Sequence, residues 1–368
     1  MGLTQIQRRP WFHAVHDGIP KFLEGQQDHQ IPGYFRYSYT GDLFTHPSKT
    51  NLSGSIFALK LCALIDEPTP AVIQPIMERI LTFQQFNGTF SDPFICRHRR
   101  LRSILSQLKQ GQWPDFSNNT YIRAETRQTY SALLLHGVIP ERIYTDIPTQ
   151  PEEIKQFLSR LDWSHPWGAG SHFSHLLFFL SLLHQAGRLK EETYLQARCA
   201  ATSFVDTLQH EADGAWYTGN PSHRQKVNGA MKVITGLLVD DLSFRYPQQL
   251  IDLCLQADTT TARDACDQIN QVLVLRHSSR LLNSDYRQED IRGFCERTLE
   301  DWKDYYYPSL GGFSFHKHRA NDRYYGAKIT RGHDEPDIHG TLMFTWGLSM
   351  MKHLIPLEGT DGLIEIKS

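Results

Sequence analysis

No stretch of this 368-residue chain approaches the roughly 18 consecutive apolar residues that a membrane-spanning helix needs. The opening segment, MGLTQIQRRPWFHAV, lacks the apolar core of a secretion signal, and Ile6 stands where an N-myristoylation signal carries Ser or Thr. The chain therefore reads as cytoplasmic. Net charge is also scarce: 38 Lys and Arg oppose 40 Asp and Glu, and no basic tail is present, which argues against a nucleic-acid partner held by bulk electrostatics. The six cysteines (Cys62, Cys96, Cys199, Cys254, Cys266 and Cys295) form neither CxxC pairs nor tight clusters, which disfavours a disulfide scaffold or a zinc knuckle. They read as free and mostly buried thiols.

What is present is an alternation of two kinds of helix. EDIRGFCERTLEDWKDY places Ile291, Phe294, Cys295, Leu299 and Trp302 on one face and charges on the other, the pattern of a helix that faces water. A second kind opens on polar or small residues and then turns apolar on every side, as a fully buried helix does. It comprises SGSIFALKLCALI from Ser53, ETRQTYSALLLHG from Glu125, SHFSHLLFFLSLLHQAG from Ser171, NGAMKVITGLLVDD from Asn228, DACDQINQVLVLRH from Asp264 and HGTLMFTWGLSMM from His339. One water-facing candidate precedes each, at about 11–26, 71–86, 151–161, 191–210, 246–256 and 288–305. Glycine–aromatic loops (PGYFRYSY, NGTFSD, DGAWYTG and GGFSFHKHRANDRYYG) suggest short hairpins at one rim.

Six outer-then-inner pairs closed in a ring make an all-α (α/α)6 toroid, here one domain over residues 1–368, with the polar starts of the inner helices gathered at one mouth. The rival arrangement is two stacked helical domains meeting near 145–155, with IPTQPEE as linker.

The rhythm of glycine–aromatic loop, polar helix start and apolar continuation resembles the repeats of the terpenoid cyclase and protein prenyltransferase superfamily. It is clearest in NGTFSD…AETRQTYSALLLHG and GGFSF…DIHGTLMFTWGLSMM. That resemblance implies the toroid fold. In prenyltransferase β-subunits an Asp-x-Cys at the fifth inner helix and a His at the last bind zinc. Asp264, Cys266 and His339 stand in matching places, so the resemblance implies a possible zinc site with an open fourth position. The family's diphosphate-holding bases before Asp-x-Cys are matched only by Arg263. Lys226 and Asn228 stand in place of its fourth-repeat histidine, and the DxDD acid of the squalene-cyclase branch is missing.

Several constellations carry candidate chemistry, each beside a structural alternative. In EPDIHGT, Asp337 either caps a helix or tunes His339 as a general acid or base. In YIRAETRQ, Glu125 and its flanking arginines either form an internal ion-pair network or put Arg123 against an anionic group. DWSHPWGAGSHFSH gathers Trp163, Trp167, His172 and His175, for sugar stacking, metal binding or plain core packing. Lys226 and Asn228 suit a phosphate, carboxylate or sugar hydroxyl, and Asn228 suits an N-cap equally. Asp267 and Tyr325, the latter in a basic and aromatic rim loop, complete the candidate ligand contacts. The expected catalytic set is Asp337, His339, Glu125 and His172. The expectation is an enzyme of the terpenoid cyclase or prenyltransferase kind acting on an isoprenoid. The alternatives are a carbohydrate-active (α/α)6 hydrolase or lyase and a noncatalytic scaffold, with a small molecule or an oligosaccharide as ligand.

Overall fold

A computed structural model describes residues 11–65, 70–99, 119–256, 264–282 and 284–367; Arg263 lies outside them. The chain is mostly helical. Six helices carry polar outer faces: α1 (Val15–Gln26), α3 (Pro70–Leu81), α5 (Pro151–Ser159), α7 (Glu191–Asp206), α9 (Pro247–Leu255) and α11 (Gln288–Trp302). They alternate with α2 (Leu52–Ile65), α4 (Asn119–Leu134), α6 (Pro166–Gln185), α8 (His223–Leu237), α10 (Ala265–Leu282) and α12 (Ile338–Met351). Residues 93–99 are also helical.

Burial follows the two sequence patterns. In α11 only Ile291, Cys295, Thr298, Leu299 and Trp302 are buried, one stripe of the helix. In α2 every residue but Ala63 is buried, and in α12 every one but His339 and Met343. A helix enclosed on all sides needs neighbours all round, and the even-numbered helices supply them to one another. Contacts join α2 to α4, α4 to α6, α6 to α8, α8 to α10, α10 to α12, and α12 back to α2. No described helix is long and apolar enough to cross a membrane.

The glycine–aromatic loops fold back on the ends of the preceding odd-numbered helices. Gln27 bridges Phe35, Gln84 bridges Phe90, Gln209 bridges Trp216, and β1 (Tyr306–Tyr307) pairs with β2 (Gly312–Phe313). Gly311 makes the last turn with φ +75°, and a Cβ there would lie 2.0 Å from the Gly18 carbonyl oxygen. A second hairpin, β3 (Arg323–Tyr324) with β4 (Ala327–Lys328), lies in the loop before α12.

Three even-numbered helices start earlier than their polar residues suggest, at Asn119, Pro166 and His223. Glu125, His172 and Asn228 therefore sit well over one turn inside their helices. Asn228 is not an N-cap: Ser222 accepts from Gln225 N at the start of α8.

Candidate functional site

All six even-numbered helices line one cavity of about 620 Å³, bordered also by the β3–β4 loop. Phe57, Trp167, Phe315, Tyr324, Tyr325 and Trp346 supply its aromatic wall, and exposed Arg323 marks its rim.

At the start of α12, Asp337 and His339 do different work. Asp337 is fully buried and does not line the cavity. Its carboxylate accepts from the backbone N–H groups of Gly340 (2.8 Å), Phe315 (2.7 Å) and Asn321 (2.9 Å), so it caps α12 and ties the preceding loop to it. Burial pushes its pKa up to about 7 against the pull of those donors.

His339 faces the cavity, its ring stacked on Phe57 at 4.7 Å and beside Phe315 at 4.6 Å. Asn321 Oδ1 accepts from Arg323 N, which turns the amide nitrogen toward the Tyr37 hydroxyl (3.2 Å) and His339 Nδ1 (3.3 Å). Tyr37 then has one acceptor for its own proton, Nδ1 at 3.1 Å. Satisfying every group makes Nδ1 the acceptor and leaves the proton on Nε2, toward the cavity. Burial depresses the imidazole pKa to about 3, so His339 is a neutral donor there.

Glu125 stands behind Tyr324, whose hydroxyl donates to Glu125 Oε2 at 2.7 Å, while Oε1 is buried without a partner. Burial raises its pKa to about 8. Tyr324 lines the cavity; Glu125 does not and acts only through it.

Asp264, Cys266 and His339 all border the cavity, yet among the described residues no group of three or more His, Cys, Asp or Glu side chains is placed to hold one metal ion. Burial raises the Cys266 thiol pKa well above its ordinary value. Asp264 is the one carboxylate on the cavity wall among the described residues, its pKa raised by burial and by Asp267.

Other expected contacts lie behind the wall. Asp267 accepts from Arg224 (2.8 Å) and Asn228 (3.0 Å), and Asn228 accepts from Asn270, the only member of that chain to reach the cavity. Lys226 pairs with Asp213 at 2.8 Å over the Tyr217 ring. Trp163 is buried, its indole donating to Leu158 O. Arg123 and His172 bond each other away from the cavity, and burial followed by the arginine charge lowers the His172 pKa to about 4. Trp167 and Tyr325 do reach the cavity.

One turn deeper are Lys60 and Lys232, which the sequence reading passed over, beside Arg127 and His175, which it grouped with Arg123 and His172. Lys60 on α2, Arg127 on α4, His175 on α6 and Lys232 on α8 all line the cavity, each eight or nine residues into its helix. Burial lowers the pKa of all four, Arg127 to about 10 and Lys232 to about 8, and the Arg127 charge adds to the fall at Lys60, His175 and Lys232. The signal was available: Lys60 in FALKLCAL and Lys232 in AMKVITGLLV are lone cations within apolar runs. Compared with known proteins, the chain matches no family, no curated protein and no solved structure.

Proposed function

We propose that the chain is an (α/α)6 toroid enzyme of the carbohydrate-active kind, cleaving an acidic saccharide by elimination. The closed cycle of contacts among the six even-numbered helices supports the toroid, as does the lining of one cavity by all six. The observation that carries the substrate class is the content of that cavity: aromatic walls suited to stacking on sugar rings, with cations in its depth. An isoprenoid tail lodged there would strand Lys60 and Lys232 in hydrocarbon, so the resemblance to terpenoid cyclases and prenyltransferases is carried over at the level of fold alone.

Elimination fits the acid–base inventory better than hydrolysis. Two-carboxylate hydrolysis needs a facing pair, and Asp264 is the only cavity-wall carboxylate among the described residues. In the proposed reaction Asp264 removes the proton next to the sugar carboxylate, and the cations offset the charge that develops. As the bond to the leaving oxygen breaks and the C=C bond forms, Tyr324 turns its hydroxyl proton from Glu125 to that oxygen, and neutral His339 steadies it with a hydrogen bond from Nε2–H. Incubating the full chain with uronate oligosaccharides should yield an unsaturated, ultraviolet-absorbing product, and Asp264→Asn should cut the rate by about 100-fold or more. Turnover of isoprenoid diphosphates with no action on any saccharide would contradict this reading.

A further inference from the structure

We propose that Lys60, Arg127, His175 and Lys232 form a binding site for the anionic substituent of a chain-terminal sugar, and that Trp346 and Ile366 floor the cavity so that only a chain end reaches it. This rests on the saccharide reading above and adds which end of the substrate enters and what it must carry.

The four bases come from four successive even-numbered helices and occupy one side of the cavity. At the matching depth the other two helices carry Leu273, Val274 and Trp346. The described groups facing Lys60 and Lys232 do not neutralise them. Neither Lys60 nor Lys232 makes an ion pair among the described residues; Lys60 donates to the neutral Gln128 at 2.5 Å. Glu125, the acid nearest Lys60, is turned to Tyr324. Arg127 lies over the Phe178 ring, and His175, bonded to Ser171 through Nε2, has a buried Nδ1 with no partner. Gathering like charges in a buried cavity is costly, and a ligand anion offsets that cost directly. The shared chemistry of such a ligand is an oxyanion: the carboxylate of a uronate, or a sulfate or phosphate ester.

The floor is held from below. Thr235, Trp346 and Ile366 line both this cavity and a second one of about 470 Å³ at the C-terminal ends of α4, α6, α8, α10 and α12. The Trp346 indole donates to Ile366 O at 3.1 Å, and Ile364 N donates to Leu64 O at 2.7 Å. Glu365 anchors the segment on Arg276 and His353, both at 3.2 Å, and Lys367 reaches Asp241 at 2.7 Å. A polymer therefore has no path through the partition and must present its end.

The test titrates the full chain with glucuronate, glucose 6-phosphate and glucose by calorimetry. Glucuronate or the phosphate ester should bind and glucose should not, and whichever acid binds identifies the oxyanion. Lys60→Met and Lys232→Met should each weaken that binding by at least about tenfold. Both variants should melt no lower than wild type without ligand, since each replaces a cavity-wall lysine that has no ion-pair partner among the described residues with an apolar side chain of similar length. With reducing-end-labelled uronate oligomers, products should shorten one unit at a time. Equal binding of all three sugars, unchanged binding in both variants, or random internal cleavage would overturn the proposal. Lysine-dependent binding without turnover would uphold the anion site and overturn the elimination reading; turnover with unchanged lysine variants would do the reverse.

Discussion

At the scale of single residues, the site depends on which groups are charged. Glu125 faces Tyr324 in a buried position, and its pKa is raised from 4.5 to about 8. A carboxyl raised on folding contributes stability that is fully present below its unfolded pKa and lost as pH rises through the folded one. Wild type should therefore lose stability relative to Glu125→Gln between about pH 5 and pH 8, by about 1.4 kcal/mol per pH unit at most. Parallel melting curves across that range check this; identical pH dependence would mean Glu125 is ionised in the native cavity. His339 carries the opposite shift and stays neutral throughout. Its fixed tautomer depends on Tyr37 and Asn321, so Tyr37→Phe should lower turnover while leaving substrate binding near wild type.

At the scale of elements, the loops and caps aim these residues. Asp337 serves α12 and the preceding loop together, and its loss leaves three backbone donors without their acceptor. Asp337→Ala should cost about 3 kcal/mol of stability, measurable by denaturant unfolding; a loss under about 1 kcal/mol would show that the loop re-forms its bonds elsewhere. Gly311→Ala should cost about 2 kcal/mol or more, because the turn has φ +75° and its Cβ would strike Gly18. The alternation of half-buried and fully buried helices was legible in the sequence because burial on one face or on all faces imposes different apolar patterns. The helix starts were less legible. Polar residues at the heads of α4, α6 and α8 resembled loop because their partners lie on neighbouring helices, as Asn228 bonded to Asp267 shows. That misplacement shifted the expected contacts by a turn, selecting Arg123 and His172 where Arg127 and His175 line the cavity.

At the scale of the whole molecule, six helices around one cavity bring the proposed acid–base groups and four bases to its wall. Such a division of labour suits a substrate that is polar, ring-shaped and charged at its leading end. Lone cations in apolar runs were the sequence trace of the site's two lysines, because nothing local to Lys60 or Lys232 says that three other helices bring bases to the same depth. The most direct measurement is a crystal structure of the full chain with a bound uronate oligosaccharide. The account predicts the six even-numbered helices closed in a ring, with the terminal carboxylate within hydrogen-bond reach of Lys60 and Lys232 and a sugar ring beside Tyr324 and His339. A ring left open, or a saccharide seated in the lower cavity or on the rim with the four bases bare, would contradict it.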